Sequence, residues 1–171
     1  YLRYHVRDDS PWRNSGKDWM LLFKTGDSID LKLATDPNAD PKRRGPVPGD
    51  LRLLIAPLEG EPVAVLYRHR LAPGETGRSQ TFSSPWRNEK VDDVRKLEEA
   101  TIHVDVGDDR YDVEAAIPLT ALGLKGLKGQ TLQGDLGAIF GDKQGTINLL
   151  RSYWSNKATG LVNDVPGEVM L

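Results

Sequence analysis

Cysteine is absent from this chain of 171 residues, which excludes disulfide bonds, thiolate nucleophiles and cysteine metal sites. Long apolar runs are also missing, and no stretch approaches the roughly 20 residues that a helix needs to span a bilayer. Basic residues are not in excess, because 23 lysines and arginines stand against 25 aspartates and glutamates. Nucleic acid is therefore not an expected partner, since phosphate binding requires a basic surface.

Motifs of the common enzyme classes are lacking too. The sequence contains no serine nucleophile elbow, no phosphate-binding loop and no HExxH zinc motif. Adjacent carboxylates such as Asp108 and Asp109 do occur, but neighbours on a strand point to opposite faces and do not make a glycosidase pair. We therefore expect a domain without catalytic activity.

What the chain does contain is alternation of apolar and polar residues with period two, which is typical of half-buried antiparallel strands. Its length suits one domain with one core, so we expect residues 1–171 to form a single domain. The predicted fold is all-β, an antiparallel β-sandwich. The predicted strands are Leu2–Arg7, Ser28–Ala34, Asp50–Pro57, Pro62–Leu71, Thr101–Val106, Tyr111–Ile117, Asp135–Phe140, Thr146–Tyr153 and Glu168–Leu171.

Helical spacing is limited to two places. Leu119–Leu122 follows Pro118 and predicts one short helical turn. Val91, Val94 and Leu97 are spaced three apart, which favours a short helix, with a strand as the alternative.

Turns and loops separate the predicted strands. Asp108-Asp109 and Asp142–Gly145 predict hairpin turns. Residues 8–19 and 35–49 are long irregular stretches, and loops of that length in a compact domain are more often functional than accidental. The longest basic run, Lys42–Arg44, lies in the second stretch and is predicted to be solvated.

One pentapeptide, Ser-Pro-Trp-Arg-Asn, occurs twice, at Ser10–Asn14 and at Ser84–Asn88. Proline restricts its own backbone and that of the residue before it, so each copy is predicted to be a loop that holds an indole beside an arginine. Loops of this kind commonly carry binding residues.

Exposed aromatic rings beside arginines suit a glycan, because the ring contacts the C–H face of a sugar and the guanidinium grips hydroxyl, carboxylate or sulfate groups. The alternative is that these rings pack in the core or at corners of the fold, as large aromatics usually do. The predicted ligand-binding residues are Trp12, Arg13, Trp86, Arg87, Arg151, Tyr153, Trp154 and Asn156.

Four segments resemble a known family: Tyr1–Asp8, Gly26–Leu31, Tyr111–Pro118 and Pro166–Leu171. The third has an acidic residue and two small residues before an Ile-Pro turn, and the second is similar to an Asp-Ser-Val-Glu strand. These features resemble the family 9 carbohydrate-binding modules, which have a DOMON-like β-sandwich fold.

That resemblance implies a non-catalytic module that holds a polysaccharide or oligosaccharide. It also implies a larger multidomain parent protein, an extracellular or periplasmic location, and first strands of the module upstream of Tyr1. Characterised members clamp a terminal sugar between two tryptophans. Here the corresponding places hold Phe23, which we add to the predicted ligand-binding residues, and Leu161 or Val162.

Asp36, Asn38 and Asp40 have the alternating oxygen ligands that open a calcium loop. Pro41 replaces the glycine of an EF-hand, so the pattern predicts at most a looser structural calcium site. No other cofactor is expected.

Two other functions stay open. The first is a structural or protein-interaction module, in which the sandwich docks to a partner strand. The second is a haem b-binding cytochrome domain of the same superfamily, for which Met20 and Met170 would be the axial methionines. A Soret band in the purified protein would distinguish the haem alternative from the other two.

Overall fold

The computed structural model describes residues 1–85, 87–126 and 128–155, with the backbone but not the side chain of Arg87. Strands account for most of the regular structure within these residues. They are β1 (Leu2–Arg7), β2 (Ser28–Ala34), β3 (Asp50–Leu58), β4 (Glu61–Arg68), β5 (Gln80–Ser84), β6 (Arg87–Val91), β7 (Asp93–Lys96), β8 (Thr101–Val106), β9 (Arg110–Ala116), β10 (Gln133–Gly141) and β11 (Asn148–Tyr153).

Short 3₁₀ helices span Trp19–Lys24 and Leu119–Leu122. Asp18 caps the first of them by accepting a hydrogen bond from the Met20 N–H at 2.9 Å. Neither helix is long and apolar enough to cross a membrane, and the same holds for every helix in the described ranges.

Two antiparallel sheets form the sandwich. The large sheet has six strands in the order β11-β10-β2-β3-β4-β7, and the small sheet has three in the order β1-β9-β8. Strands β5 and β6 form a separate hairpin. The predicted all-β antiparallel sandwich is confirmed.

The main apolar core lies between the two sheets. Because side chains alternate along a strand, every second residue of β2, β3 and β4 faces the small sheet. The buried side chains of this core include Val6, Ile29, Leu51, Leu53, Ile55, Ala64, Leu66, Tyr111, Val113 and Ala115.

A second apolar cluster covers the opposite face of the large sheet. The first 3₁₀ helix and the β5–β6 hairpin supply its outer layer, so the large sheet is covered on both faces and eight of the nine residues of β3 are buried. Its members are Leu22, Phe23, Leu54, Ala56, Val65, Tyr67, Phe82, Val91, Val94 and Ile139.

Most predicted elements match the structure. The bounds of β1, β2 and β8 are as predicted, and the helical turn at Leu119–Leu122 is a 3₁₀ helix. The turns at Asp108-Asp109 and Asp142–Gly145 connect antiparallel neighbours, β8 with β9 and β10 with β11. The predicted strand Glu168–Leu171 lies outside the described residues.

The structure corrects the helix favoured around Val91, Val94 and Leu97, because these residues lie on and after β6 and β7. Asp92 interrupts the strand structure between β6 and β7, and its N–H donates to the His69 carbonyl. That break shifts the alternation by one residue, so Val91 and Val94 enter the same apolar cluster with helical spacing.

Arg43 corrects the prediction of a solvated basic run. It is buried, and its guanidinium forms a forked pair with the Asp50 carboxylate at 2.5 and 3.0 Å. Its Nη1 also donates to the Asp40 carbonyl at 2.8 Å. The pair fastens the loop of residues 35–49 to the start of β3.

Candidate functional site

Residues 8–18, here called the Trp12 loop, connect β1 to the first 3₁₀ helix and are fastened at their base by Asp27. The Arg13 N–H donates to the Asp27 carboxylate at 2.7 Å, and the Asp27 N–H donates to the Arg13 carbonyl at 2.6 Å. The approach is close enough to require a glycine next to it, since a Cβ on Gly26 would lie 1.9 Å from the Arg13 carbonyl oxygen.

Two polar side chains hold the rest of the loop. Asn14 Nδ2 donates to the carbonyls of Leu22 and Asp27 at 2.9 and 3.2 Å. The N–H and the hydroxyl of Ser15 both donate to the Gly145 carbonyl at 2.8 Å, which ties the loop to the β10–β11 turn. The loop is therefore preorganised by bonds to two separate parts of the chain.

Trp12 has an unusual backbone conformation. Its φ is 57°, in the left-handed region that a bulky side chain rarely adopts, at a cost of about 1–3 kcal/mol. The half-buried indole packs on the Tyr111 ring with centroids 5.1 Å apart and planes at 50°. Glu59, in the turn between β3 and β4, is the other non-glycine residue with positive φ in the described part of the chain.

Trp12 lines one open cleft of about 660 Å³, to which the β3–β4 turn contributes Pro57 and Gly60. The positive φ of Glu59 is what a two-residue turn between antiparallel strands requires. Trp12 is therefore the strained residue at this cleft, and strained residues often occur at binding sites. Arg13 Nη1 donates to the Lys143 carbonyl at 2.8 Å across the cleft, while the Arg13 side chain itself stays exposed. The cleft is lined by Trp12, Arg13, Asn14, Ser15, Pro57, Gly60, Lys143 and Gln144.

A second depression of about 320 Å³ adjoins the first, and Arg13 and Lys143 line both. Its other wall comes from the start of the Trp12 loop and from the β8–β9 turn, which contributes Gly107 and Asp108. Two cationic side chains therefore stand in the middle of a surface built from loops at one end of the sandwich.

Asp27 lies beneath this surface and is fully buried. Burial raises its pKa to about 6, and the neighbouring Asp8 carboxyl raises it further in the same direction, while the N–H groups of Arg13 and Gly141 oppose the shift. Burial likewise raises the pKa of the Tyr111 hydroxyl, and both carboxylates add to that shift.

Trp154 lies far from Trp12 along β11, since Lys143 is in the turn before that strand and Trp154 follows its other end. It is 70% exposed and lines a groove of about 330 Å³ between β1 and the β10–β11 pair. Leu136, 43% exposed, lies in the same groove, and its carbonyl accepts the Trp154 N–H at 2.9 Å.

Tyr153 is buried, unlike its neighbour, and belongs to a polar group on the far face of the large sheet. Its hydroxyl donates to the Asp30 carboxylate at 2.6 Å, and Arg52 donates to the same carboxylate at 2.6 to 3.0 Å. Burial alone would raise the pKa of Asp30, but the Arg52 guanidinium, together with Lys32, holds it below its usual range.

Phe23 is also buried, with 3% of its surface exposed. Its ring packs edge-on against Tyr67 and Phe82, and the Arg52 guanidinium carbon lies 5.0 Å from its centroid. The ring has no face open to a sugar, which corrects the use of Phe23 as a platform. Arg151 is exposed, and its Nη2 donates to the Phe23 carbonyl at 3.3 Å.

The predicted binding residues thus divide among separate places. Trp12 and Arg13 share one cleft, Tyr153 and Trp154 line another groove, and Phe23 is in the core. Trp86, the Arg87 side chain and Asn156 lie outside the described residues, as does Met170. Met20 packs partly buried against the second apolar cluster.

The calcium candidates lie in exposed turns. The carboxylate of Asp36 accepts the Asn38 N–H at 2.9 Å, and that of Asp40 accepts the Lys42 N–H at 2.8 Å. Such local bonds stabilise turns. Among the described residues no group of three or more histidine, cysteine, aspartate or glutamate side chains is placed to hold a metal ion.

Sequence reasoning missed the residues that complete the Trp12 cleft. Pro57 and Gly60 come from the β3–β4 turn, and Lys143 and Gln144 come from the β10–β11 turn. The predicted hairpin at Asp142–Gly145 was the only sequence signal near them, and it indicated a turn without indicating what the turn faces.

Comparison of the chain with protein-family models, with curated proteins and with solved structures finds no match in any of the three.

Proposed function

We propose that this domain is a non-catalytic carbohydrate-binding module and that its glycan lies in the Trp12 cleft. The main support is the Trp12 loop itself, which keeps a tryptophan in a costly left-handed conformation beside an exposed arginine. A loop that served only as a connection would have no need of this strain or of its many anchoring bonds.

The cleft has the chemistry that a sugar requires. The indole of Trp12 offers apolar contact area, and the neighbouring donors include the guanidinium of Arg13, the ammonium of Lys143 and the amide of Gln144. With two cations at its centre, the surface suits a glycan that bears carboxylate or sulfate groups.

The four segments that resemble family 9 carbohydrate-binding modules support the same function. They also support an extracellular or periplasmic location within a larger protein. The cleft differs from the family's clamp of two tryptophans, because Phe23 is buried and the Trp12 loop occupies another position along the chain.

The test is a glycan array, followed by calorimetry with neutral and acidic polysaccharides. Arg13→Ala removes the guanidinium and its hydrogen bond to the Lys143 carbonyl, while the backbone bonds of Arg13 still anchor the loop. A charge-assisted hydrogen bond contributes about 1.5–3 kcal/mol, so the variant should lose about tenfold or more in affinity.

Arg7→Ala is the matched control. Arg7 is exposed and lines the Trp154 groove, so this variant should bind glycan like the wild type. Equal losses in the two variants would move the site away from the Trp12 cleft. Absence of wild-type binding to any glycan would refute the proposed function.

A second candidate function, a protein-interaction module, is favoured by the apolar surface along β10 and β11. Leu136, Leu149, Leu150 and Trp154 are 43 to 70% exposed. Beside the Trp154 groove, β1 pairs only with β9, so one edge of β1 is open in the described sheet. A partner strand added to that edge would cover the apolar residues on the groove floor.

Size-exclusion chromatography with light scattering tests this second function. Assembly that is lost in Trp154→Glu and kept in Trp12→Ala would support it. A protein that stays monomeric and binds no partner strand while binding glycan would reject it.

A further inference from the structure

Two buried carboxylates meet beneath the Trp12 loop. Asp8 follows β1, Asp27 precedes β2, and their carboxyl groups lie within hydrogen-bonding reach of each other. Asp27 is 0% exposed and Asp8 is 9% exposed. Like charges brought together away from water repel strongly, so a pair of this kind is stabilised either by a bound cation or by a proton that the two carboxyls share.

The oxygens of Asp27 each accept one backbone N–H. Oδ1 accepts from Gly141 at 2.6 Å, and Oδ2 accepts from Arg13 at 2.7 Å. A carboxylate oxygen has two lone-pair sites, so each of these oxygens keeps one for a further partner. Asp8 Oδ1 accepts from the N–H of Ser10 at 2.9 Å.

Two further oxygens at this place have no hydrogen-bond partner among the residues that the structure describes. One is Asp8 Oδ2, and the other is the hydroxyl of Tyr111, a residue of the neighbouring strand β9 that is 0% exposed. The hydroxyl is close enough to both carboxylates for each of them to affect its ionisation. A buried polar atom without a partner is costly, and in native proteins an ordered water or an ion commonly completes its hydrogen bonding.

No side chain in the described ranges supplies the positive charge. Neither Asp8 nor Asp27 forms an ion pair with a lysine, arginine or histidine there. The nearest arginine in the loop, Arg13, directs its guanidinium to the Lys143 carbonyl instead.

We propose that Asp8 and Asp27 bind a calcium ion, with the Tyr111 hydroxyl beside it and water in the remaining coordination positions. All the available donors are oxygens, and hard oxygen ligands suit calcium rather than zinc or copper. Because the site has two carboxylates instead of three or more, we expect a dissociation constant in the range of extracellular calcium modules, about 10⁻⁴ to 10⁻³ M. This site is separate from the turn of Asp36, Asn38 and Asp40.

The position suggests what the ion does. Asp27 holds both the N–H and the carbonyl of Arg13, so an ion on Asp27 would join β1, β2 and the Trp12 loop at one point. The proposal does not depend on glycan binding, because its readouts are ion binding and thermal stability.

Terbium luminescence is the direct test. Terbium(III) occupies calcium sites and emits when nearby aromatic rings are excited, and Trp12 packs on Tyr111 next to the proposed site. We expect saturable emission from the wild type that calcium chloride displaces. Asp8→Asn should weaken terbium affinity by about tenfold or more, since it removes one of two charged ligands.

Asp9→Asn is the matched control, because Asp9 is the exposed neighbour of Asp8. It should leave both terbium affinity and calcium competition unchanged. If Asp9→Asn weakens emission as much as Asp8→Asn does, the ion is on the surface and the proposal is wrong.

A melting curve in EDTA and in millimolar calcium gives an independent readout. We expect calcium to raise the melting temperature of the wild type and of Asp9→Asn, and to leave Asp8→Asn unchanged. If calcium has no effect on the wild type and terbium gives no emission, the two carboxyls share a proton instead. Asp8→Asn would then be at least as stable as the wild type, because its amide donates to Asp27. Tyr111→Phe serves as the second variant if Asp8→Asn does not fold.

Discussion

The two faces of the large sheet are made by the same strands, but among the described residues only the far face buries an ion pair among its apolar side chains. Toward the small sheet, Ile29, Leu51 and Leu53 form an apolar layer. On the far face, Asp30 and Arg52 come from the same strands and are 0% and 1% exposed. Alternation thus separates an apolar face from a face that buries charge beside the second apolar cluster.

The charged face is tolerated because its groups bond to each other. Arg52 and Asp30 form a forked pair at 2.6 to 3.0 Å, and Tyr153 donates a further bond to the same carboxylate. Phe23 and Tyr67 place their rings 5.0 and 5.8 Å from the guanidinium. The comparison shows that a side chain can be buried along these strands either because it is apolar or because its charge is paired and hydrogen-bonded.

The largest expected effect comes from breaking the pair. Arg52→Ala leaves the Asp30 carboxylate buried without its main partner, so the free energy of unfolding should fall by about 3–5 kcal/mol. Urea denaturation followed by circular dichroism measures the change. The double variant Arg52→Met with Asp30→Leu should recover most of the loss, because a buried pair replaced by apolar groups is often neutral. A loss below about 1 kcal/mol in Arg52→Ala would contradict the importance given to the pair.

A substitution on the apolar face should have a somewhat smaller effect. Leu53 is 1% exposed in the main core, and Leu53→Ala should reduce the free energy of unfolding by about 3 kcal/mol through lost burial and the cavity that remains. The same urea measurement applies. Similar losses from Leu53→Ala and from the exposed Leu149→Ala would show that the apolar layer is not close-packed.

The pH dependence should separate the two faces. The pKa of Asp30 is lower in the folded protein than in the unfolded chain, so its contribution is present above about pH 4 and is lost as pH falls through the folded pKa. Stability should fall in acid for the wild type and for Leu53→Ala alike. The variant Arg52→Met with Asp30→Leu should lose less stability over the same pH range. If it is as sensitive to acid as the wild type, Asp30 is not a source of the pH dependence.

The smallest effect is expected on the solvent side of the small sheet. Arg3 and Glu114 form an exposed pair at 3.4 Å, with side chains 74% and 56% exposed. Arg3→Ala should change the free energy of unfolding by at most about 0.5 kcal/mol, because water screens such pairs. A larger change would mean that this face is covered by something in solution.

Much of the fold could be predicted from local patterns. Strands with one polar face, such as β1 and β8, had clear alternation and correct bounds. Strands β6 and β7 were harder to predict, because the break at Asp92 changes the period from two to three. The short hairpin of β5 and β6 packs on the sheet mainly through Phe82 and Val91, which leaves little pattern to detect.

The candidate site could be predicted only in part. The repeated pentapeptide led to Trp12 and Arg13, because proline and tryptophan together indicate a constrained aromatic loop. Lys143 is 130 residues away from Arg13 along the chain, and the bond between them depends on how β10 and β11 turn. Phe23 was predicted to offer its ring to a sugar, but neighbouring elements cover this ring, which lies beneath Arg52. Local sequence does not reveal that cover.

The sequence by itself determined the class of fold, the position of most strands and the absence of cysteine chemistry, since these depend on composition and on the period of neighbouring residues. Tertiary structure decided which polar residues are buried and paired, and which loops share a surface. Asp30 and Arg52 are 22 residues apart, and Asp27 and Gly141 are 114 apart. Such contacts form only when sheet order and register bring distant strands together, and a local pattern carries no information about that order.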